Sequence, residues 1–179
     1  GLENILFVLN QYKHCSIYTI GLNKKTSMRV YKLFGQIKEF EHFFLPNSFL
    51  KKKICKTKRK VNIDNRSDNL KVLKKTYKIN NLPKYSYFPK KSIKFFNSKY
   101  GQNPFYKYYF LEMYYKKEIK LFFVCKDIYL SKQKVTISRI VDFYGDFPKN
   151  ISFKNEILSY LINNKIEYLD FLIFAQKSD

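Results

Sequence analysis

The chain has 179 residues, 45% hydrophobic and 19% aromatic, with a formal net charge of +21. That length and apolar content bury one ordinary core or two small ones and exclude a disordered polyelectrolyte. Five glycines, no tryptophan and an abundance of Lys, Asn, Ile, Tyr and Phe accompany the charge; an AT-rich genome writes such a vocabulary, so the charge is weaker evidence of a polyanionic partner than its size implies.

In chain order, "GLENILFVLNQYK" places Leu2, Ile5, Leu6 and Leu9 at helical spacing, and "CSIYTIG" follows as a β-branched strand closed by Gly21. Ser27 caps a short helix whose Val30, Tyr31 and Phe34 share a face, with Gly35 at its end. "QIKEFEHFFLP" reads as a strand stopped by Pro46, imperfectly alternating and so bulged or at a sheet edge. From Phe49 to about Leu82 the chain turns polar, and "KKKICKTKRK" concentrates Lys51, Lys52, Lys53, Lys56, Lys58, Arg59 and Lys60. This stretch is read as a basic linker.

The next stretch, "KKSIKFFNSKYG", aligns Ile93, Phe96 and Tyr100 on one helical face, with Gly101 as the stop. Three aromatic or β-branched runs follow, Phe105 to Tyr114, Glu118 to Lys126 and Lys134 to Gly145, joined by hairpin-sized breaks. They predict an antiparallel meander. Ser152 then caps a helix with Phe153, Ile157, Leu161 and Ile162 inward, and "IEYLDFLIF" closes as a buried strand. The expected fold class is α/β, a mostly antiparallel sheet with flanking helices.

The order helix, strand, strand, strand, helix, strand resembles the front part of a GNAT-type N-acyltransferase domain. The first stretch, from Leu2 to Leu45, resembles the back part of the same fold. The phrases "GLNKKTSMRVYKLFG", "PKKSIKFFNSKYGQNPFYKYYF" and "RIVDFYGDF" are similar to a bacterial group of such proteins associated with surface-polysaccharide biosynthesis. The resemblance implies two partial units, at residues 1–48 and 85–179, with a basic linker over 49–84. It implies acetyl-CoA or another acyl-CoA as donor and a sugar or amino-sugar precursor as acceptor, in a longer, complete form of the protein. By the same resemblance Asn23 holds the cofactor and Tyr31 protonates the leaving thiolate, help worth roughly 10² to 10⁴-fold. Read as residues alone, Asn23 is a turn residue and Tyr31 a core aromatic.

Two departures stand against the family pattern. Spaced glycines that let backbone N–H groups converge on a diphosphate at a helix start are absent: "RIVDFYGDFPKNIS" has only Gly145, beside Asp142 and Asp146. Gln36 stands where the family usually has an aromatic. As it stands the chain is therefore expected to be inactive.

Other chemistry is sparse. His14 and His42, the only histidines, have no second ligand at metal spacing and read as satisfied residues, so no metal is expected. Asp142, Asp146, Glu167 and Asp170 suggest an acid pair only if folding brings two of them together. Asn65 and Asn150 match glycosylation acceptors by chance. Cys15, Cys55 and Cys125 form no Cys-x-x-Cys pair, which fits a reducing compartment. No apolar run approaches the ~18 residues of a spanning helix, and no export signal opens the chain. The expected location is cytoplasmic, or peripheral at the inner membrane face. The rival reading is a module without catalysis, a scaffold or a binder of nucleic acid or anionic lipid through the seven clustered cations. Oligomeric state is not readable.

Overall fold

A computed structural model of the chain describes Phe7, Asn10 and Gln11, all helical, and residues 41–173 except 52, 56, 58–60, 62–69, 87, 88 and 147. The chain divides into two units, Gly1–Glu39 and Phe40–Asp179. The expected helix, strand and short helix before residue 36 lie outside the described residues apart from those three.

The second unit is built on a six-stranded sheet. Its strands are β1 (Glu41–Pro46), β2 (Lys71–Thr76), β3 (Tyr109–Tyr115), β4 (Glu118–Leu130), β5 (Val135–Tyr144) and β6 (Ile166–Ile173). Helix α1 (Ile93–Phe96) runs into a π-helical turn at Asn97–Gly101, and α2 (Lys154–Asn163) connects β5 to β6. Spatial order is β1-β6-β5-β4-β3-β2, with every neighbour antiparallel except β5 and β6, which are parallel. The coarse α/β expectation holds.

The division into 1–48, linker and 85–179 differs from what the sheet contains. β1 pairs with β6 from Glu41↔Ile173 to Pro46↔Tyr168, so it belongs to the same sheet as β3 to β6. The supposed linker supplies β2, whose Lys71, Lys74 and Lys75 made an edge strand look like loop. Lysine on an edge strand discourages pairing with other chains.

Asn47 and residues 53–55 are also anchored. Asn47, fully buried, donates through its backbone to Glu167 O (2.8 Å) and through Nδ2 to Ile166 O (3.0 Å). The Glu167 carboxylate, buried on β6, accepts the backbone N–H groups of Lys53 (3.1 Å), Ile54 (2.7 Å) and Cys55 (2.8 Å). A carboxylate receiving such bonds leaves no orphaned buried charge, and each bond to it is worth more than a neutral one.

Local chemistry explains the connections. Lys116 and Lys117 both have positive φ, 51° and 65°, the backbone of a tight primed turn between β3 and β4. α1 is capped by Ser92 Oγ, which accepts Phe95 N (3.1 Å). The widening into a π-turn coincides with Asn97, whose side chain accepts from Ile79 N and donates to Ile79 O, both at 2.9 Å. Phe96 and Tyr100 are buried as expected, whereas Ile93 is exposed. The N-cap of α2 is Phe153, one residue beyond the expected Ser152, and Ser152 Oγ accepts Lys154 N instead.

Alternation sorts the core onto two faces. Tyr109, Leu111, Met113, Leu121, Phe123, Cys125 and Ile140 pack beneath α2, against its Ile157, Tyr160 and Leu161. Phe110, Phe122, Val124 and Tyr144 pack with Phe96 and Tyr100 on the α1 side. At the end of β5, Gly145 has φ +120°, and a Cβ there would lie 2.5 Å from Lys120 O and 2.6 Å from Leu121 Cα. Only glycine fits that close approach.

Gly145→Ala should cost at least about 2 kcal/mol of stability in urea denaturation, from backbone strain and overlap. Glu167→Gln, which turns one acceptor into a donor facing an N–H, should cost about 1.5–3 kcal/mol. A loss under about 0.5 kcal/mol would show that the Glu167 anchor does not hold residues 53–55.

Candidate functional site

The parallel pair is where the sheet opens. β5 and β6 pair at Thr136↔Ile166, Ser138↔Leu169, Arg139↔Asp170 and Ile140↔Phe171, and no further. β5 continues along β4 to Tyr144, and β6 continues along β1 to Ile173. The parting coincides with a bulge: register against β4 shifts from Cys125↔Ile140 to Val124↔Asp142, leaving Val141 unopposed. A bulge bends its strand and strengthens the local twist, which turns β5 away from β6. On the α2 side the Phe143 and Phe171 rings meet edge to face across the parting, 5.9 Å apart. The carboxyl ends of neighbouring parallel strands are where open α/β sheets take ligands.

Two acid-centred clusters flank this crevice on the face away from α2. At its base Asp170, with a side chain 0% accessible, receives Arg139 Nε (2.9 Å to Oδ1) and Arg139 Nη2 (2.6 Å to Oδ2). His42 Nε2 lies 3.2 Å from the same Oδ2. The hydrogen bonds from Arg139 to Asp170 raise the guanidinium's already high pKa further. Just beyond the bulge, Asp142 binds Lys91 Nζ through both oxygens (2.9 and 2.8 Å), Tyr100 Oη (2.8 Å) and Phe143 N (2.9 Å). The acids singled out in the sequence thus fall into separate ion clusters, and Asp142 and Asp170 do not form a pair sharing a proton. His42, read as a satisfied residue, is indeed bonded, but to a buried carboxylate at the crevice. Arg139 and Lys91 were not singled out in the sequence and Tyr100 was read only as part of a helical face; the acids within apolar runs, Asp142 and Asp170, were the available hint.

The start of α2 opens beside the end of β5. Its N-cap, Phe153, makes no side-chain hydrogen bond to the helix. A pocket of about 280 Å³ lies there, with an apolar floor of Met113, Leu121, Phe123 and Ile157 and with Ser152 and Lys154 at its polar side. A helix start with a lysine and a hydroxyl suits a phosphate group, although Ser152 Oγ already accepts one of its N–H groups. Glu156, in the first turn, would compete with such an anion. Asp146 accepts Ser86 Oγ (2.6 Å) and Ser86 N (2.8 Å), bonds that hold its carboxyl below the usual range. Gly145 serves the contact with β4 and not a phosphate loop.

A third polar group is buried under α2. Tyr109 Oη donates to Asp127 Oδ1 (2.6 Å) and shares a 2.6 Å bond with Ser138 Oγ, while Lys75 Nζ sits 3.9 Å from the Tyr109 ring centre. Tyr160 Oη is buried without a hydrogen bond of normal geometry, although Lys75 and Tyr109 are near enough to influence its ionisation. Burial pushes up the phenols of Tyr109 and Tyr160 and the thiol of Cys125. That thiol is inert packing rather than a nucleophile.

Asn23 and Tyr31 lie outside the described residues, as do Lys52, Lys56, Lys58, Arg59 and Lys60. Lys51 is exposed, and Lys53 Nζ is bonded to the carbonyls of Gln133 (3.0 Å) and Lys134 (3.3 Å). Among the described residues no group of three or more His, Cys, Asp or Glu is placed to hold a metal ion, and no helix is long and apolar enough to cross a membrane.

No family model, curated protein or solved structure matches the chain.

Burial and the Asp142 charge raise the Tyr100 phenol, and burial with Glu112 raises that of Tyr114 to about 12. These groups hold their protons more tightly folded than unfolded, where tyrosine ionises near 10. Their contribution is complete below pH 10 and is lost as pH rises toward 12. The thermal midpoint should fall steeply above pH 10; a flat profile to pH 11 would contradict the buried phenol networks.

Proposed function

We propose that the protein, in its complete form, is an acyl-coenzyme-A-dependent N-acyltransferase of the GNAT type, acting on a sugar or amino-sugar precursor. The observation that carries this reading is the parting of the parallel strands β5 and β6 beside the start of α2. The order α1, β3, β4, β5, α2, β6 is similar to the front part of that family's domain. An acyl donor has three needs, and residues are present for each. Ser152 and Lys154 at the α2 start suit phosphate, the crevice beyond Ile140 and Phe171 gives an extended arm a channel between strands, and the cluster on Asp170 faces an acceptor amine. The donor supplies an activated acyl carbon. The protein orients it, excludes water with Phe143 and Phe171, and manages protons. The roles that the resemblance implies for Asn23 and Tyr31 are those of the first unit and are proposed independently of this crevice.

The test is free-thiol release from acetyl-CoA and longer acyl-CoAs by the complete protein, with a panel of amino sugars and sugar nucleotides bearing a free amine. Amine-dependent release is expected. Lys154→Ala should weaken acetyl-CoA binding about tenfold or more, the size of a lost charge-assisted contact. Absence of both binding and release would overturn the reading.

A second reading, a binder of single-stranded nucleic acid, draws on Lys126 Nζ lying 3.5 Å from the Tyr106 ring centre beside the 84% exposed Phe105. With Lys53 engaged, the six remaining clustered cations would give a slope near −4 in log K against log salt, at ~0.7 per phosphate. A flat salt response would dismiss it.

A further inference from the structure

We infer that His42 is the base that takes a proton from the acceptor amine, with Asp170 and Arg139 as the residues that position it. This rests on the acyl-transfer reading above and assigns a role to residues which that reading leaves without one.

Three observations converge. First, Asp170 on β6 is a fully buried carboxylate bonded to Arg139 of β5 and His42 of β1, the two strands that flank it. Arg139 alone already reaches both oxygens and satisfies the charge, so the bond to His42 is not needed to keep the acid buried. Its effect falls on the imidazole. A carboxylate can only accept, so Nε2 carries the hydrogen, and in the neutral imidazole Nδ1 is the nitrogen left with a lone pair. A nucleophile or base whose second nitrogen is fixed by a buried acid is the recurring arrangement of proton-transfer sites.

Second, the two ends of the cluster differ in exposure. The Asp170 side chain is 0% accessible and that of His42 is 50% accessible. The acid end is closed to solvent and the imidazole end is half open to it. Third, position matches chemistry: His42 pairs with Leu172, one step past the last β5–β6 pair at Ile140↔Phe171. The imidazole itself reaches back over β6 to Asp170, beside the last β5–β6 pairs and on the face of the sheet away from α2.

The step balances without a further reagent. The acceptor ammonium gives one proton to His42 Nδ1, and the freed nitrogen pair forms a C–N bond to the thioester carbon. The C–S bond breaks, its electron pair leaves with sulfur, and the nitrogen's second surplus proton ends on that sulfur as thiol. The imidazolium returns its proton to solvent.

Carbethoxylation by diethyl pyrocarbonate reads the lone pair directly, scored by peptide mass at pH 8.5, where free imidazole is unprotonated. His14 and His42 are the only histidines, so His14 is the internal reference. His42 should react several-fold faster than N-acetylhistidine and about fivefold slower in Asp170→Asn, with His14 unchanged. If Asp170→Asn does not fold, the comparison with N-acetylhistidine stands alone, and a rate no faster than the free imidazole overturns the positioning role. In turnover, His42→Gln should lower kcat/KM about 10²- to 10⁴-fold with KM for the acyl donor unchanged. A variant as active as the parent overturns the base. If no amine supports thiol release, the acyl-transfer reading fails and the base assignment with it, while the carbethoxylation rate still reports whether Asp170 orients His42.

Discussion

The parallel pairing of β6 with β5 is the constraint on which the rest of this sheet depends. All other neighbours are antiparallel and can be joined by short turns, but a parallel neighbour demands a crossover, and α2 is that crossover. Placing α2 on one face determines what must be apolar there, from Tyr109 and Leu111 to Leu169. It also brings the start of α2 to the carboxyl end of β5, where the strands diverge. One topological choice thus sets the core, the helix and the opening.

β6, an interior strand beside the edge strand β1, carries two buried acids, and each ties down a different neighbour. Glu167 collects the N–H groups of residues 53–55, fixing the path that leaves β1. Asp170 draws Arg139 from β5 and His42 from β1 into one ionic group. Buried carboxylates with apolar surroundings would be expensive; with full sets of donors they become registration marks between strands. A one-residue slip of β6 would send both acids to the wrong face, so the same groups that satisfy the charge also specify register.

Much of this was legible in the sequence where one face of a strand or helix is apolar. The runs giving β3, β4, β5, α2 and β6 announce themselves through alternation or helical spacing, because burial is what those patterns encode. β2 was hidden because an edge strand can carry Lys71, Lys74 and Lys75 and still pair along its whole length. The π-turn was hidden because its cause is Asn97 gripping Ile79, a side-chain contact that spacing does not express. The site was least legible. His42 and Asp170 are 128 residues apart, and only the antiparallel docking of β1 on β6 joins them. Asp142 and Asp170 could be suspected as acids in apolar runs, but whether they meet each other or separate cations is decided by a bulge at Val141.

The measurement that tests the central claim most directly is amide hydrogen exchange of the complete protein with and without acetyl-CoA. Protection concentrated at residues 141–144 and 172–173 and in the first turn of α2 is the expected result, since an acyl donor in the crevice would cover the edges that β5 and β6 do not pair with each other there. Unchanged exchange in those segments, or protection confined to the lysine-rich edge at β2, would contradict it.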